Sequence, residues 1–237
     1  MNSGISEAIH KARVLRVELG IGTNEPVNIF DLLRYRENIS IIKIKLSEQI
    51  SGFIVKKGSA KAIVINSEMS LGRQIFTAAH EYFHLKYDDD FENYSDEKEK
   101  MADEFASHFL MPDTALENII YERAGDKKIK HSDIVYIENY FKMSHRAVLK
   151  RLRASKYIKE DEFKRYSEMS SKDGAVKFGY STELYVGSRD EEIIFSNYRE
   201  LAETALEENK ISKEKYEKYI FDSELENIVL AVKEETV

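Results

Sequence analysis

HEYFH, which spans His80 to His84, lies inside an uninterrupted helical pattern that runs from residue 72 to residue 85. Two histidines four residues apart lie on one face of a helix, one turn above the other, so both imidazoles can reach the same ion. Glu81 follows the first histidine and can reach a water molecule bound to that ion. This HExxH arrangement is typical of zinc hydrolases, in which two nitrogen ligands act with a carboxylate as general base.

The same pattern could also arise by chance, as two surface histidines on a solvated helix. With six histidines in 237 residues, a chance HExxH is roughly a one-in-a-hundred event. The flanking residues argue against chance, because an apolar stripe at helical spacing predicts that one side of the helix is buried. That stripe lies next to the metal face and consists of Phe76, Ala79, Phe83 and Tyr87.

A catalytic zinc site normally takes three protein ligands and a water molecule, and two residues after His84 are candidates for the third. Asp90 lies six residues on, where the metzincin pattern places a ligand. That pattern needs a sharp turn at a glycine, and this chain has Tyr87 there. The other candidate is Glu99, which follows Ser95, a good N-cap for a second helix with acidic residues in its first turn.

Glu99 and Asp103 are four residues apart and therefore share one face of the second helix. A glutamate ligand followed one turn later by an aspartate is how gluzincins complete their site, and the aspartate orients a ligand histidine. Glu97 is a weaker competitor, because it points to a different face from Asp103. We therefore predict Glu99 as the third ligand and keep Asp90 as the alternative.

Three segments, RQIFTAAHEYFH at 73–84, EKMADEFA at 99–106 and FLMP at 109–112, resemble the ImmA/IrrE family of metallo-endopeptidases. The family pattern is approximately RFTLAHELGH, then ExxA(N/D)xFA, then LLMP. This chain departs from it at Phe83, where the family usually has glycine, and at Phe109, where it has leucine. Neither departure removes a ligand.

The resemblance covers about residues 5–155 and implies a zincin-like fold. It also implies a bacterial or mobile-element setting, in which such proteases often act on a helix-turn-helix repressor encoded nearby. We expect a zinc endopeptidase whose partner is a protein substrate, a repressor or an antitoxin-type regulator. The alternative is a DNA-binding or antitoxin-like regulatory protein that acts by binding rather than by cleavage.

The predicted mechanism assigns one role to each site residue. His80, His84 and Glu99 hold one Zn²⁺ ion, and Glu81 takes the proton of the attacking water. A further group should stabilise the developing oxyanion. Spacing does not choose among its candidates, which are Tyr82, Tyr87, Tyr94 and His108. The remaining histidines, His10, His131 and His145, are expected to be ordinary surface residues, and His108 is expected not to bind metal.

Composition limits the class of protein. An apolar share of 42% and a charged share of 33% are typical of a soluble globular protein. There is no apolar run near 18 residues and no signal-peptide pattern, so we expect neither a membrane span nor export. The absence of cysteine excludes disulfides and fits a reducing cytoplasm. A net charge of −7 argues against broad non-specific binding of nucleic acid.

Residues before the HExxH helix are predicted to form its scaffold. A helix over 5–19 ends at Gly20, and a short helix runs from Pro26 to Leu33. Three strands follow, at 39–46, 52–56 and 60–66, the last two joined by a turn at Gly58-Ser59. Ala62–Asn66 is hypothesised to be a sheet edge that an extended substrate could pair with; an ordinary internal strand is the alternative.

Residues after Pro112 are predicted to be mainly helical, with a helix from Asp113 to Arg123. Helices at 132–142 and 144–154 resemble a helix-turn-helix, and the second is basic, as a DNA-recognition helix would be. Its basic residues are His145, Arg146, Lys150, Arg151 and Arg153. We prefer the alternative of a helical hairpin that packs on the protease domain and exposes a basic face.

The predicted fold class is α+β, with a small, mostly antiparallel sheet and an active-site helix. The protease domain is assigned to 1–125, the helical pair packed on it to 126–158 and a charged linker to 159–175. A small, mainly helical C-terminal region is assigned to 176–237. Within it we expect strands at 176–180 and 183–186, and helices at 191–208 and 212–220.

Overall fold

The computed structural model of the chain describes residues 3–57, 60–88, 95–125, 127–187, 192–194 and 198–221. Helices and strands mix along the chain, so the predicted α+β class is confirmed. A π-helical turn, Leu32–Arg36, follows α2, and a 3-10 turn spans Glu183–Tyr185. The other elements are α1 Ser3–Glu18, α2 Ile29–Asp31, β1 Ser40–Ile44, β2 Gly52–Lys57, β3 Ala60–Asn66, α3 Leu71–Tyr87, α4 Asp96–Leu110, α5 Asp113–Arg123, α6 His131–Phe141, α7 His145–Ala154, α8 Glu160–Ser167, α9 Ser171–Lys177, β4 Glu192–Ile194, α10 Tyr198–Glu207 and α11 Lys213–Phe221.

The described residues belong to two compact units. The first combines Met1–Val27 with Met69–Ser188, and the second combines Asn28–Glu68 with Arg189–Val237. These units do not follow the boundaries predicted at 125, 158 and 175, which stay predictions. The helices along the described part of the chain lack the length or the apolar content needed to cross a bilayer.

The sheet belongs to the second unit and has the strand order β2-β3-β1-β4. β3 pairs with β2 in antiparallel and with β1 in parallel orientation, and β4 pairs with β1 in antiparallel orientation. The prediction of a mostly antiparallel sheet is therefore confirmed. One of its faces packs Ile42, Ile44 and Val64 against Phe53 and Val55.

The hypothesis that Ala62–Asn66 forms a sheet edge is wrong, because β3 lies between two other strands. Four consecutive side chains of β3, Ala62 to Ile65, have no exposed surface. An uninterrupted apolar run of this kind is typical of a strand that is covered on both faces. The strand therefore has no free row of backbone groups to offer an extended peptide. The predicted Gly58-Ser59 turn lies outside the described residues.

Helix boundaries in the N-terminal part agree closely with the sequence pattern. α1 is followed by Gly20 in the left-handed conformation, with φ +61°. The short helix begins later than predicted, since Asn28 rather than Pro26 precedes its first residue and accepts a hydrogen bond from Asp31 N–H. Buried Arg16 connects α1 to the end of α4, because its guanidinium donates to the carbonyl oxygen of Phe109 at 2.6 Å.

α3 and α4 pack against each other through an aromatic cluster, defined as Tyr82, Phe83, Tyr87, Phe105 and Phe109. The Phe83 ring lies 5.3 Å from the Phe105 ring and 5.4 Å from the Tyr87 ring, measured between centroids. The Phe105 and Phe109 rings stack at 5.3 Å. Phe83 is almost fully buried, so the residue that replaces the family's usual glycine fills part of the interface between these two helices.

Replacing Phe83 with alanine should lower the free energy of unfolding by about 3–5 kcal/mol, because the lost ring leaves a cavity between α3 and α4. Denaturant unfolding followed by circular dichroism measures this change. Tyr121→Ala is the matched control, since Tyr121 is 81% exposed and its loss should change stability by no more than about 0.5 kcal/mol. Equal stability of both variants would contradict the assigned packing role.

The prediction of a charged linker at 159–175 is wrong, because this segment contains α8 and most of α9. Tyr166 on α8 is buried and donates its hydroxyl hydrogen to the Ile129 carbonyl at 2.6 Å. Ser170 caps α9 by accepting a hydrogen bond from Asp173 N–H, and Ala175 has no exposed surface. The dense charges of the segment lie largely on the solvent-facing sides of short amphipathic helices.

The strands predicted at 176–180 and 183–186 are also absent. α9 continues to Lys177, Gly179 has φ +80° and the second segment forms the 3-10 turn. The segment predicted as a helix at 191–208 is helical over α10, Tyr198–Glu207, whereas residues 192–194 form β4. The helix predicted at 212–220 is α11, and Ser212 caps it as expected by accepting from Lys215 N–H at 3.2 Å.

The predicted helix pair is α6 and α7, joined by a turn in which Lys142 has φ +55°. This turn touches α3, since a Cβ atom on Gly72 would lie 2.8 Å from the Ser144 nitrogen. Only glycine permits so close an approach of two backbones. Arg151 is buried and pairs with Asp113 of α5. These contacts support the packed-hairpin interpretation, and DNA contact by this pair stays a prediction.

His145 is not the ordinary surface residue that the sequence predicted. Its Nδ1–H donates to a carboxylate oxygen of Glu138 at 2.5 Å, and its Nε2–H donates to the Tyr166 carbonyl at 2.9 Å. Glu138 is fully buried and also accepts from the Tyr185 hydroxyl at 2.8 Å. Because both ring nitrogens face oxygen acceptors, the site favours the protonated form of His145, which would form an ion pair with Glu138. His131 lies beside it, with a ring separation of 6.5 Å.

The stability that His145 contributes should depend on pH. Burial by itself lowers the pKa of His145, but the hydrogen bond and charge of Glu138 outweigh it and raise that pKa above its ordinary value. The contribution is therefore complete below the unfolded-state pKa of about 6.5 and is lost as pH rises through the folded-state pKa. Unfolding free energies of wild type and His145→Gln should converge as pH rises; a constant difference would refute this. His10→Gln, on an exposed residue of α1, is the control.

Candidate metal centre

α3 presents His80 and His84 one turn apart, as the sequence predicted. Their ring centroids are 5.0 Å apart, and their Nε2 atoms are 3.3 Å apart. Next to the metal face, α3 packs against α4 through the aromatic cluster, and Ala78 and Ala79 have no exposed surface. The helix is therefore held on its apolar side, and both imidazoles point to one place.

α4 supplies the third group of the site. Ser95 begins the helix as predicted, since its hydroxyl accepts a hydrogen bond from Lys98 N–H at 3.2 Å. Glu99 then lies in the first turn, where its two carboxylate oxygens are 3.2 Å from His80 Nε2 and 3.4 Å from His84 Nε2. The structure thus brings together the three predicted ligands, and they form a group that could hold a metal ion.

The two histidine nitrogens are spaced as in a tetrahedral zinc site. Bonds of about 2.0–2.1 Å from zinc to nitrogen or oxygen place the ligands of a tetrahedron about 3.3 Å apart, and the two Nε2 atoms are 3.3 Å apart. Glu99 presents one carboxylate oxygen 3.2 Å from His80 Nε2 and the other oxygen 3.4 Å from His84 Nε2, so its carboxylate faces both imidazoles. Two imidazole nitrogens and one carboxylate, with no thiolate, are also the donor set of catalytic rather than structural zinc sites.

Each histidine is oriented by a carboxylate on its other ring nitrogen. Asp103 Oδ1 lies 3.0 Å from His80 Nδ1, so Asp103 occupies the position predicted for it. Asp88 Oδ2 lies 2.6 Å from His84 Nδ1. When Nδ1–H donates to a carboxylate, the Nε2 lone pair is left to face a metal ion. The sequence analysis missed Asp88, although its spacing of four residues after His84 was a visible signal.

The charges around the imidazoles favour a bound cation. Burial alone lowers the pKa of His80, but its hydrogen bonds to the carboxylates of Asp103 and Glu99 and the charge of Glu81 raise it to about 10. The hydrogen bond to His80 in turn lowers the pKa of Glu99. The carboxylates that stabilise a proton on His80 create a negative electrostatic potential. The same potential stabilises a metal cation that displaces the proton.

Glu81 lies on α3 directly after the first histidine and is partly buried. Burial raises the pKa of Glu81 and outweighs the opposing charges of His80 and His84. A carboxylate with a raised pKa accepts a proton more readily than an exposed one, as a general base requires.

The other residues considered from the sequence lie elsewhere. Asp90 and Tyr94 are outside the described residues. Tyr82 and Tyr87 belong to the aromatic cluster, and the oxyanion donor stays open. His108 is buried, and its Nδ1–H donates to the Glu104 carbonyl at 2.8 Å. Burial and the charge of Arg151 lower the pKa of His108 to about 4, and it is not part of the metal-binding group.

Two histidines and a glutamate from the next helix, beside a partly buried glutamate on the HExxH helix, form a candidate metal site of the zincin type. The family model Peptidase_M78, described as the IrrE N-terminal-like domain, matches residues 35–153, which is half of the chain. The chain belongs to this metallopeptidase family, and the resemblance to ImmA/IrrE proteins is confirmed.

The chain is also similar to a solved structure described as a Mycobacterium tuberculosis transcriptional regulator. The two are 17% identical with a TM-score of 0.46, over 62% of this chain and 46% of that one. This chain thus spans less than half the length of that protein. Among curated proteins, no sequence matches this chain.

Removing one ligand should abolish stable metal binding. Purified wild type should contain one zinc per chain after loading and desalting, and His80→Ala should contain nearly none, because two remaining ligands bind weakly. Elemental analysis measures this content. His10→Ala, on an exposed face of α1, should keep full occupancy; unchanged zinc in His80→Ala would contradict the ligand set.

Proposed function

We propose that this protein is a zinc-dependent endopeptidase that cleaves a specific regulatory protein, such as a helix-turn-helix repressor or antitoxin-type regulator encoded nearby. The observation that supports this most is the convergence of the His80, His84 and Glu99 side chains on one place, with Glu81 next to the first of them in the sequence. The membership of a metallopeptidase family agrees with it.

The reaction divides among residues of α3 and α4. Zinc held in this site would lower the pKa of a bound water and polarise the scissile carbonyl. The Glu81 carboxylate accepts the proton of the attacking water and later delivers it to the nitrogen of the leaving amine. Asp103 and Asp88 hold the two imidazole rings in the orientation that directs both Nε2 atoms into the site.

A second candidate is a regulatory protein that binds DNA or a partner protein without cutting it. The basic helix α7 is its main support, but two of its arginines pair within the chain. Arg151 contacts Asp113, and Arg153 donates to Glu160 at 3.0 Å. A protein that only binds DNA or a partner protein would not need three metal ligands together with a general base. We therefore favour the peptidase.

Co-expression with the neighbouring regulator tests the proposal. Wild type should convert the regulator into two fragments that mass spectrometry identifies. Glu81→Gln keeps the size of the side chain but removes the base, so cleavage should fall by about 10²–10⁴-fold. Its zinc content should remain that of wild type, because Glu81 is not a ligand.

One other outcome would count against Glu81 as the base, and two would count against the peptidase. Comparable cleavage by Glu81→Gln would refute the role of that residue. An intact regulator that co-purifies with wild type would favour the binding alternative. A gel shift with promoter DNA whose affinity falls steeply with salt would favour a DNA-binding function.

A further inference from the structure

Asp88 makes the shorter and better shielded of the two histidine–carboxylate contacts in the metal centre. Its Oδ2 lies 2.6 Å from His84 Nδ1, and both side chains are only 11% exposed. Asp103 lies 3.0 Å from His80 Nδ1 and is 51% exposed. A charge-assisted hydrogen bond is stronger where water screens it less, so Asp88 holds its imidazole more firmly than Asp103 does.

Two hydrogen bonds join Asp88 to His84 in opposite directions. Asp88 directly follows the last residue of α3 as its C-cap, and its backbone is extended while its N–H donates to the His84 carbonyl at 3.1 Å. The side chain of Asp88 then turns back and accepts from His84 Nδ1–H. This closed pair fixes the ring of His84 relative to the end of the helix, and it leaves the Nε2 lone pair directed at His80 and Glu99.

Lys98 approaches the other oxygen of Asp88. Its ammonium nitrogen lies 3.7 Å from Asp88 Oδ1. Lys98 belongs to the first turn of α4, directly before Glu99, and its backbone N–H is held by Ser95. The Asp88 carboxylate therefore has a ring N–H of α3 on one oxygen and a cation of α4 on the other.

We infer that Asp88 is a positioning residue for His84 and that Lys98 sets the orientation of the Asp88 carboxylate. This contact couples His84, the second metal ligand, to α4, the helix that carries the third ligand, Glu99. The inference rests on the metal site of the proposed function. It deepens that proposal by assigning part of the metal affinity to a contact between the end of α3 and the start of α4.

Zinc affinity, measured by competition with a chromophoric chelator, tests the inference. Asp88→Ala should weaken zinc binding by about 10–100-fold, the usual effect of removing a group that orients a ligand histidine. Asp88→Asn keeps an acceptor oxygen but not the charge, so its loss should be smaller. Asp103→Asn should cost no more than Asp88→Asn, because the Asp103 contact is longer and more exposed.

Variants of Lys98 separate positioning from a general effect of charge. Lys98→Gln should weaken zinc binding by no more than about fivefold, as expected for a partly exposed ion pair. Lys98→Arg should keep the wild-type zinc affinity, because it leaves a cation beside Asp88. Lys100→Gln removes a positive charge two residues along the same helix and should leave zinc affinity unchanged.

Two further readouts distinguish positioning from a purely structural role. The cobalt-substituted protein should show an altered visible absorption spectrum in Asp88→Asn, because the His84 ligand changes its orientation. Thermal unfolding of the metal-free protein should change little, since Asp88 lies at the end of α3. Wild-type zinc affinity and cobalt spectrum in both Asp88 variants would overturn the inference while the proposed function stands. Failure of wild type itself to bind zinc would overturn both.

Discussion

The contact between α3 and α4 is the constraint on which the metal centre depends. Two ligands come from one helix and the third from the other, so the separations of 3.2 and 3.4 Å between Glu99 and the two imidazoles exist only while the helices keep their register. The aromatic cluster fixes that register, with the Phe83 and Phe105 rings 5.3 Å apart across the interface. A hydrophobic contact thus determines the geometry of a polar site. Phe83, which departs from the family pattern, adds apolar contact next to His84 without removing a donor.

Regularities within a single helix were predictable from the sequence. The spacing of His80 and His84 follows from the helical repeat, and Ser95 marks the start of α4 because capping chemistry is local. The position of Glu99 relative to both could be predicted only because a family motif supplied the pairing of the two helices. Asp88 could have been considered on the same local grounds, because it lies four residues after His84. Many exposed helices carry an acid four residues from a histidine, and only the structure shows that this one turns back to the ring.

Contacts between distant residues were not predictable. The sheet order depends on the pairing of β3 with β1 in parallel, and nothing in either strand specifies its neighbours. The burial of Glu138 depends on Tyr185, 47 residues further along the chain. The segment 159–175 was predicted to be a linker because its charges suggested solvation. A short amphipathic helix can have the same composition as a charged linker. It differs from a linker in its few buried residues, such as Tyr166.

The basic character of α7 shows the same limit in a functional context. Composition alone cannot separate a helix that binds phosphates from one that pairs with acids of its own chain. His145, Arg151 and Arg153 meet acidic partners on α6, α5 and α8 respectively. A phosphate backbone would have to replace these partners. For Arg151, which is buried, breaking the pair would leave an uncompensated charge at a cost of about 3–5 kcal/mol, whereas the exposed pair of Arg153 and Glu160 contributes little. The tight approach of Gly72 to the turn before α7 further commits this helix pair to the active-site helix. His145 and Arg151 therefore act as structural cross-links that hold α7 against α6 and α5, while Arg146 and Lys150 are exposed.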